Sequence, residues 1–234
     1  MTEPGDLPGL RKLQLLNATE LKIIGLVCML LDHLGVAFFP EKLWLRAVGR
    51  IAMPVFAFCV SEGFLHTRSR KRYFLRLLIF GVVSEIPFDL FTSGKLLEFG
   101  HQNIMLTFAW TLAGLICYEA VSARRHSGLS DIASAFLLLG FIAGSLLLRL
   151  DHDMAATALI FVFYLLSGKA SWMRDLPAAA LYAASRGRGV DWFGLAGFIP
   201  VFMYNGRKGR GLKWLFYVFY PVHLMLLWLT GRIF

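Results

Sequence analysis

The chemically capable residues of this chain sit inside its most apolar stretches. LKIIGLVCMLLDHLGVAFFP, residues 21–40, places Asp32 and His33 two thirds of the way along a run long enough to cross a bilayer. GRIAMP puts Arg50 one turn before Pro54, and SEIPFDL puts Glu85 and Asp89 four apart on one helix face. Asn103, the run Asp151-His152-Asp153, and His223 in FYPVHL follow further along. An ionisable group in hydrocarbon costs ~2.5 to 3.5 kcal/mol on insertion scales, so such residues face a water-filled cavity or one another. The chemistry this set offers is proton transfer near neutral pH by an imidazole whose tautomer a neighbour fixes.

Asp32 and His33 cannot form that pair together, because adjacent side chains diverge by ~100° around a helix. Asp32 is instead expected to pair with Arg50 and tie two helices together. His33 then needs an orienting carboxylate from another helix, and Glu85 or Asp89 is expected to supply it. His223 has Tyr220 three residues before it as a hydrogen-bond neighbour, and serves either a substrate or a facing carbonyl. Lys22 lies eleven residues before His33, nearly three turns, so the two project from almost the same face ~16 Å apart. A long, thin ligand would suit that spacing.

Spans that could position these groups run over 21–39, 44–65, 73–91, 103–121, 132–148, 154–167, 176–185, 192–204 and 214–233. The reading is an all-α polytopic membrane protein of about nine transmembrane helices. It has a polar segment over 1–20 and one integral-membrane domain over 21–234. The ten-residue span 176–185 is too short to cross ~30 Å of hydrocarbon unaided. About two thirds of the 24 Lys and Arg fall in the N-terminal segment and the even-numbered loops, which puts the N-terminus in the cytoplasm. On that orientation Asp32, His33, Arg50, Glu85, Asp89, Asn103 and Asp151 gather toward the outer side.

Composition agrees. At 57% hydrophobic and 17% charged, a chain of 234 residues exposes more apolar surface than a soluble core of that size can hide. The net charge of +9 sits in short loops between apolar spans, which argues for anionic lipid headgroups and against nucleic acid. Cys28, Cys59 and Cys117 lie within spans with no C-x-x-C spacing and are expected to be buried small hydrophobes. No metal is expected.

The segments LKIIGLVCMLLDHLG, GRIAMPVFAFCVSEGFLHTRSRKRYFLRLLIFGVVSEIPFDL, QNIMLTFAW, YNGRKG and FYPVHL resemble the signature blocks of the TraX family, whose named member is the conjugative F-pilin acetylase. That family is in turn similar to other transmembrane acyltransferases. The resemblance implies acetyl-CoA drawn from the cytoplasm and an acetyl group delivered to an acceptor at the outer side. It matches His33 to the catalytic histidine of those relatives, and Arg50, Glu85, Asp89, Asn103, Tyr220 and His223 to motif positions. Where an Asp-Tyr-Gly block is expected, this chain has Asp151-His152-Asp153, which leaves the sixth span's contribution open.

The roles that follow are His33 as base or transient acetyl carrier, Glu85 or Asp89 as its orienter, and Arg50 or Asn103 as polariser. Arg70, Lys71 and Arg72 are expected to meet the CoA phosphates. Asp32, Lys22, Tyr220 and His223 complete the binding set. The implied partners are acetyl-CoA, a pilin-like or glycan acceptor and the lipid bilayer of a bacterial inner membrane, with a homodimer left open. A proton-coupled transporter using the same groups as a relay, or a non-catalytic membrane assembly factor, are the competing readings.

Overall fold

The computed structural model describes residues 12–123 and 128–232; most of the polar segment 1–20, with Arg124 and Arg125, lies outside them. Among the described residues every regular element is helical: α1 (Ala18–Phe38), α2 (Leu43–Gly49), α3 (Ala52–His66), α4 (Arg70–Ser93), α5 (Ile104–Ser122), α6 (Gly128–Leu147), α7 (Asp153–Leu165), α8 (Ser171–Arg186), a 3-10 helix (Gly189–Gly197), α9 (Phe198–Phe202) and α10 (Lys213–Thr230). Four stretches are long and apolar enough to cross a membrane: Ala18–Phe38, Leu43–His66 taken through its break, Ile104–Ser122 and Ser130–Leu147. Ile79, Val82, Val83 and Ile86 on α4, and Phe136, Leu139 and Leu147 on α6, lie exposed on outer faces. Contiguous apolar faces of that kind fit lipid, not water.

The helices run back and forth between two ends. Arg70 at the start of α4 meets Glu119 near the end of α5 at 2.9 Å, and the Tyr164 hydroxyl near the end of α7 donates to the same carboxylate. At the opposite end the Thr107 hydroxyl donates to the Asp151 carbonyl ahead of α7. The core lies where α3, α5 and α7 meet, with Val55, Phe58, Phe64, Leu112, Leu115, Leu159 and Ile160 almost fully enclosed. Buried hydroxyls are satisfied locally, as Thr111 is by the Thr107 carbonyl and by Thr157.

Two elements and one cysteine depart from the sequence reading. The ten-residue span 176–185 is part of a 16-residue helix, α8. Its first turns look polar in sequence, but Arg174 and Asp175 neutralise each other at 2.7 Å, and the guanidinium lies 4.7 Å from the Phe58 ring. The span 192–204 is a 3-10 helix followed by five residues of α-helix, since GVDWFGLAG is glycine-rich and Pro200 removes an amide donor. Cys117 is exposed on the outside of α5, whereas Cys28 and Cys59 are buried; all three are free thiols.

Helix α5 starts on a cap that several groups share. Asn103 accepts from the Met105 and Leu106 amides at 2.9 and 3.3 Å, and its side-chain amide donates to the Gly81 carbonyl and to Glu85. The Asn103 backbone N–H donates to Glu85 at 2.9 Å. Asn103 is wholly enclosed. Asn103→Ala is therefore expected to cost more than an exposed cap, whose loss is about 1 kcal/mol. Thermal unfolding in detergent should show the loss, with Glu85→Gln falling between it and the parent chain.

Candidate active site

Asp32 is placed by α1 and Arg50 by the break between α2 and α3. Pro54 cannot donate to the Arg50 carbonyl, and the helix is interrupted at Arg50 and Ile51 although both keep right-handed dihedrals. The interruption delivers the Arg50 guanidinium to Asp32, whose other oxygen meets Arg46 Nε at 2.9 Å. Arg50 also reaches Asp191 at 3.4 Å, and Arg186 meets Asp191 from the far side at 3.1 Å. Close approach of α1 and α2 depends on Gly49, where a Cβ would fall 2.3 Å from the Asp32 Cβ. Among the described residues, Arg50 Nε is a buried donor with no hydrogen-bond partner.

One helix face away from Asp32, His33 meets His223 of α10, with Nδ1 of the first ring 2.8 Å from Nε2 of the second. The ring planes are 17° apart. Nδ1 of His223 lies 2.8 Å from the Phe219 carbonyl, which can only accept. With both rings neutral, the proton positions follow. His223 donates from Nδ1 to Phe219 and so accepts at Nε2; His33 donates from Nδ1 to His223; and His33 Nε2 carries a lone pair unshared among the described residues. Phe91 of α4 packs against the His33 ring at 5.3 Å.

The two carboxylates expected to orient His33 are engaged elsewhere. Glu85 holds the Asn103 cap, and Asp89 accepts the Glu98 amide at 2.7 Å, pinning the α4–α5 loop. The ring partner of His33 is a second histidine. Tyr220 is buried one turn before His223, its ring 5.7 Å from the imidazole. Lys22 lies 5.4 Å from the Phe216 ring, so Lys22 and His33 both face α10. Arg70 is taken up by Glu119 and by the Phe64 ring at 5.0 Å, while Lys71 and Arg72 are exposed.

Asp151 closes the same end. It accepts from the His152 amide at 2.9 Å and lies 3.3 Å from the His101 ring, while the Gln102 amide donates to the Arg149 carbonyl. Burial alone raises the Asp151 carboxyl, but neighbouring His152 and the His101 ring pull the other way and hold it at about 2. It is an anion throughout the neutral range. Arg149 and His152 flank it in the left-handed region, at φ 53° and 56°, an unfavourable conformation for side chains of their size. The Asp153 side chain lies outside the described residues. Asp191, His101 and the His33–His223 contact have no sequence signal beyond their residue type. An apolar groove lined by Leu34, Phe38, Phe39, Leu226, Leu227 and Thr230 opens between the last turns of α1 and α10.

Residues 17–230 match the family model described as TraX protein. The chain is 32% identical over 236 residues to the probable fimbrial assembly protein FimC, serogroup H1, of Dichelobacter nodosus, covering 90% of this chain and 94% of that protein. It is also 32% identical over 146 residues to the uncharacterized protein RP591 of Rickettsia prowazekii (strain Madrid E), covering 62% of this chain and 54% of that one. No solved structure matches.

Proposed function

The chain belongs to the TraX family, and from that premise and the His33–His223 pair we propose that it is a membrane-embedded acetyltransferase, moving acetyl from cytoplasmic acetyl-CoA to an amine or hydroxyl acceptor at the outer side of a bacterial inner membrane. The proposed topology crosses nine times, with α2–α3 as one pass and the 3-10 helix with α9 as another, and keeps the N-terminus in the cytoplasm. The observation that carries the reading is the fixed polarity of the hydrogen-bond chain from His33 through His223 to the Phe219 carbonyl. It leaves His33 Nε2 as a base.

In this mechanism an acceptor N–H or O–H gives its proton to His33 Nε2 as its heteroatom attacks the thioester carbonyl. The carbonyl π pair moves to oxygen, then returns as the C–S bond breaks and CoA departs as thiolate. The imidazolium left on His33 strengthens its bond to His223, because a charged donor makes a shorter, stronger hydrogen bond. His223 needs no charge of its own. Arg50, anchored by Asp32 and Asp191 and with Nε unpartnered among the described residues, is the polariser for the developing oxyanion. Asn103 is spent on its helix cap, and Glu85 with it.

The fimbrial relative supports a pilin-like protein as the acceptor. Mass spectrometry of envelope proteins and glycans tests this directly. A strain lacking the protein should lose one acetyl group from a defined acceptor, and a plasmid copy carrying His33→Ala should not restore it. An acetylation pattern identical with and without the protein would remove the reading.

A further inference from the structure

The connection from α9 to α10, Tyr204-Asn205-Gly206-Arg207-Lys208-Gly209-Arg210-Gly211-Leu212, reads in sequence as a basic loop that marks topology. In the structure its backbone is fixed against the start of α1. The Asn205 amide donates to the Leu16 carbonyl at 2.8 Å and the Ala18 amide to the Arg207 carbonyl at 2.8 Å. The Thr19 hydroxyl lies 2.6 Å from the Arg210 carbonyl and 3.1 Å from that of Lys208, and the Arg207 amide donates to the Asn205 side chain. Gly206 and Gly209 take left-handed φ of 73° and 71°, and a Cβ at 209 would sit 2.1 Å from Asn17 Oδ1. Only glycine fits that contact.

With these carbonyls turned toward α1, Arg207, Lys208 and Arg210 are exposed, and so is Lys213 at the start of α10. Among the described residues none of the four makes an ion pair. A loop that served topology alone would need cations but no fixed backbone. Holding three like charges within four residues on a pinned loop, with a fourth at the start of α10, sets up repulsion that a bound anion relieves. Lys22, one turn into α1 from Thr19, faces α10 from the same side of the helix as His33, ~16 Å further along. Arg70, by contrast, is already neutralised by Glu119.

We propose that the Tyr204–Leu212 loop is the binding site for the phosphates of the nucleotide-linked thioester, with Lys22 on the path of its arm to His33. This rests on the acetyl-CoA reading above. Phosphate could also reach the loop as a lipid headgroup, and the test separates the two sources.

The protein is reconstituted in nanodiscs of phosphatidylcholine alone and of phosphatidylcholine with phosphatidylglycerol, and titrated calorimetrically with CoA and with inorganic pyrophosphate. The triple variant Arg207→Gln, Lys208→Gln, Arg210→Gln should bind both probes roughly tenfold or more weakly in the uncharged discs, since the lost contacts are charge-assisted. Its KM for acetyl-CoA should rise while kcat at saturation stays close to wild type. Gly209→Ala, which keeps every cation, should weaken pyrophosphate binding too, with monodisperse elution showing that both variants fold. The proposal is overturned if the triple variant binds both probes like wild type, or if it loses only its preference for phosphatidylglycerol discs. Wild type binding CoA with no dependence on the loop would discard the loop and leave the acetyl-CoA reading standing. Loop-dependent binding of pyrophosphate without any CoA binding would do the reverse.

Discussion

Replacing His33 with alanine is expected to slow acetyl transfer by about 10²- to 10⁴-fold, the range that a positioned general base supplies, and to leave a folded protein. His33 is half-buried, and among the described residues its one side-chain hydrogen-bond partner is the ring of His223. Removing it vacates a site facing Phe91 and α10 without orphaning a charge. His223→Ala should also slow the reaction, by less, because His33 keeps its own ring nitrogen and loses only the partner that holds the proton on Nδ1. The double variant should be no slower than His33→Ala, since residues acting as one unit are not additive. Initial rates of CoA release by the purified variants, at matched folded concentration, measure all three. Additive losses would mean that the histidines act separately.

The opposite behaviour is expected one residue earlier. Asp32 is buried and holds Arg50 and Arg46 together, with its side chain and that of Arg50 each only 13% exposed. Among the described residues, Asp32→Asn leaves the Arg50 charge with Asp191 as its one carboxylate, at 3.4 Å. Breaking a buried pair from one side costs about 3–5 kcal/mol, because the remaining charge stays desolvated. Thermal unfolding in detergent should therefore show a marked fall for Asp32→Asn, partly recovered when Arg50→Gln is added and the orphaned charge goes too. A full-stability Asp32→Asn protein beside an unfolded His33→Ala protein would reverse the roles assigned to the two neighbours.

How much of this is legible in the sequence depends on whether depth or azimuth decides. Run length locates a residue along a helix, so Asp32 and Arg50 read as level with each other and as partners from opposite charge alone. Rotation about a helix axis and the packing order of helices are tertiary properties. They put His223 against His33 and turn Glu85 toward Asn103, and local pattern carries no trace of either choice. The α8 helix hides its first turns for a related reason: Arg174 and Asp175 read as a loop until each is seen to neutralise the other. The Tyr204–Leu212 loop shows its charge and glycines in sequence, but not the hydrogen bonds that hold it on α1. Asp191 is a lone carboxylate in GVDWFG, and only the fold brings it to Arg50 and Arg186.

The central claim is that His33 mediates acetyl transfer from a CoA thioester, and the most direct measurement uses purified wild-type and His33→Ala proteins with acetyl-CoA labelled in the acetyl group. Wild type should release CoA and pass label to an added amine or hydroxyl acceptor, or to the protein itself, and His33→Ala should bind CoA but do neither. Absence of thioester cleavage by wild type, or transfer by His33→Ala at the wild-type rate, would contradict the account.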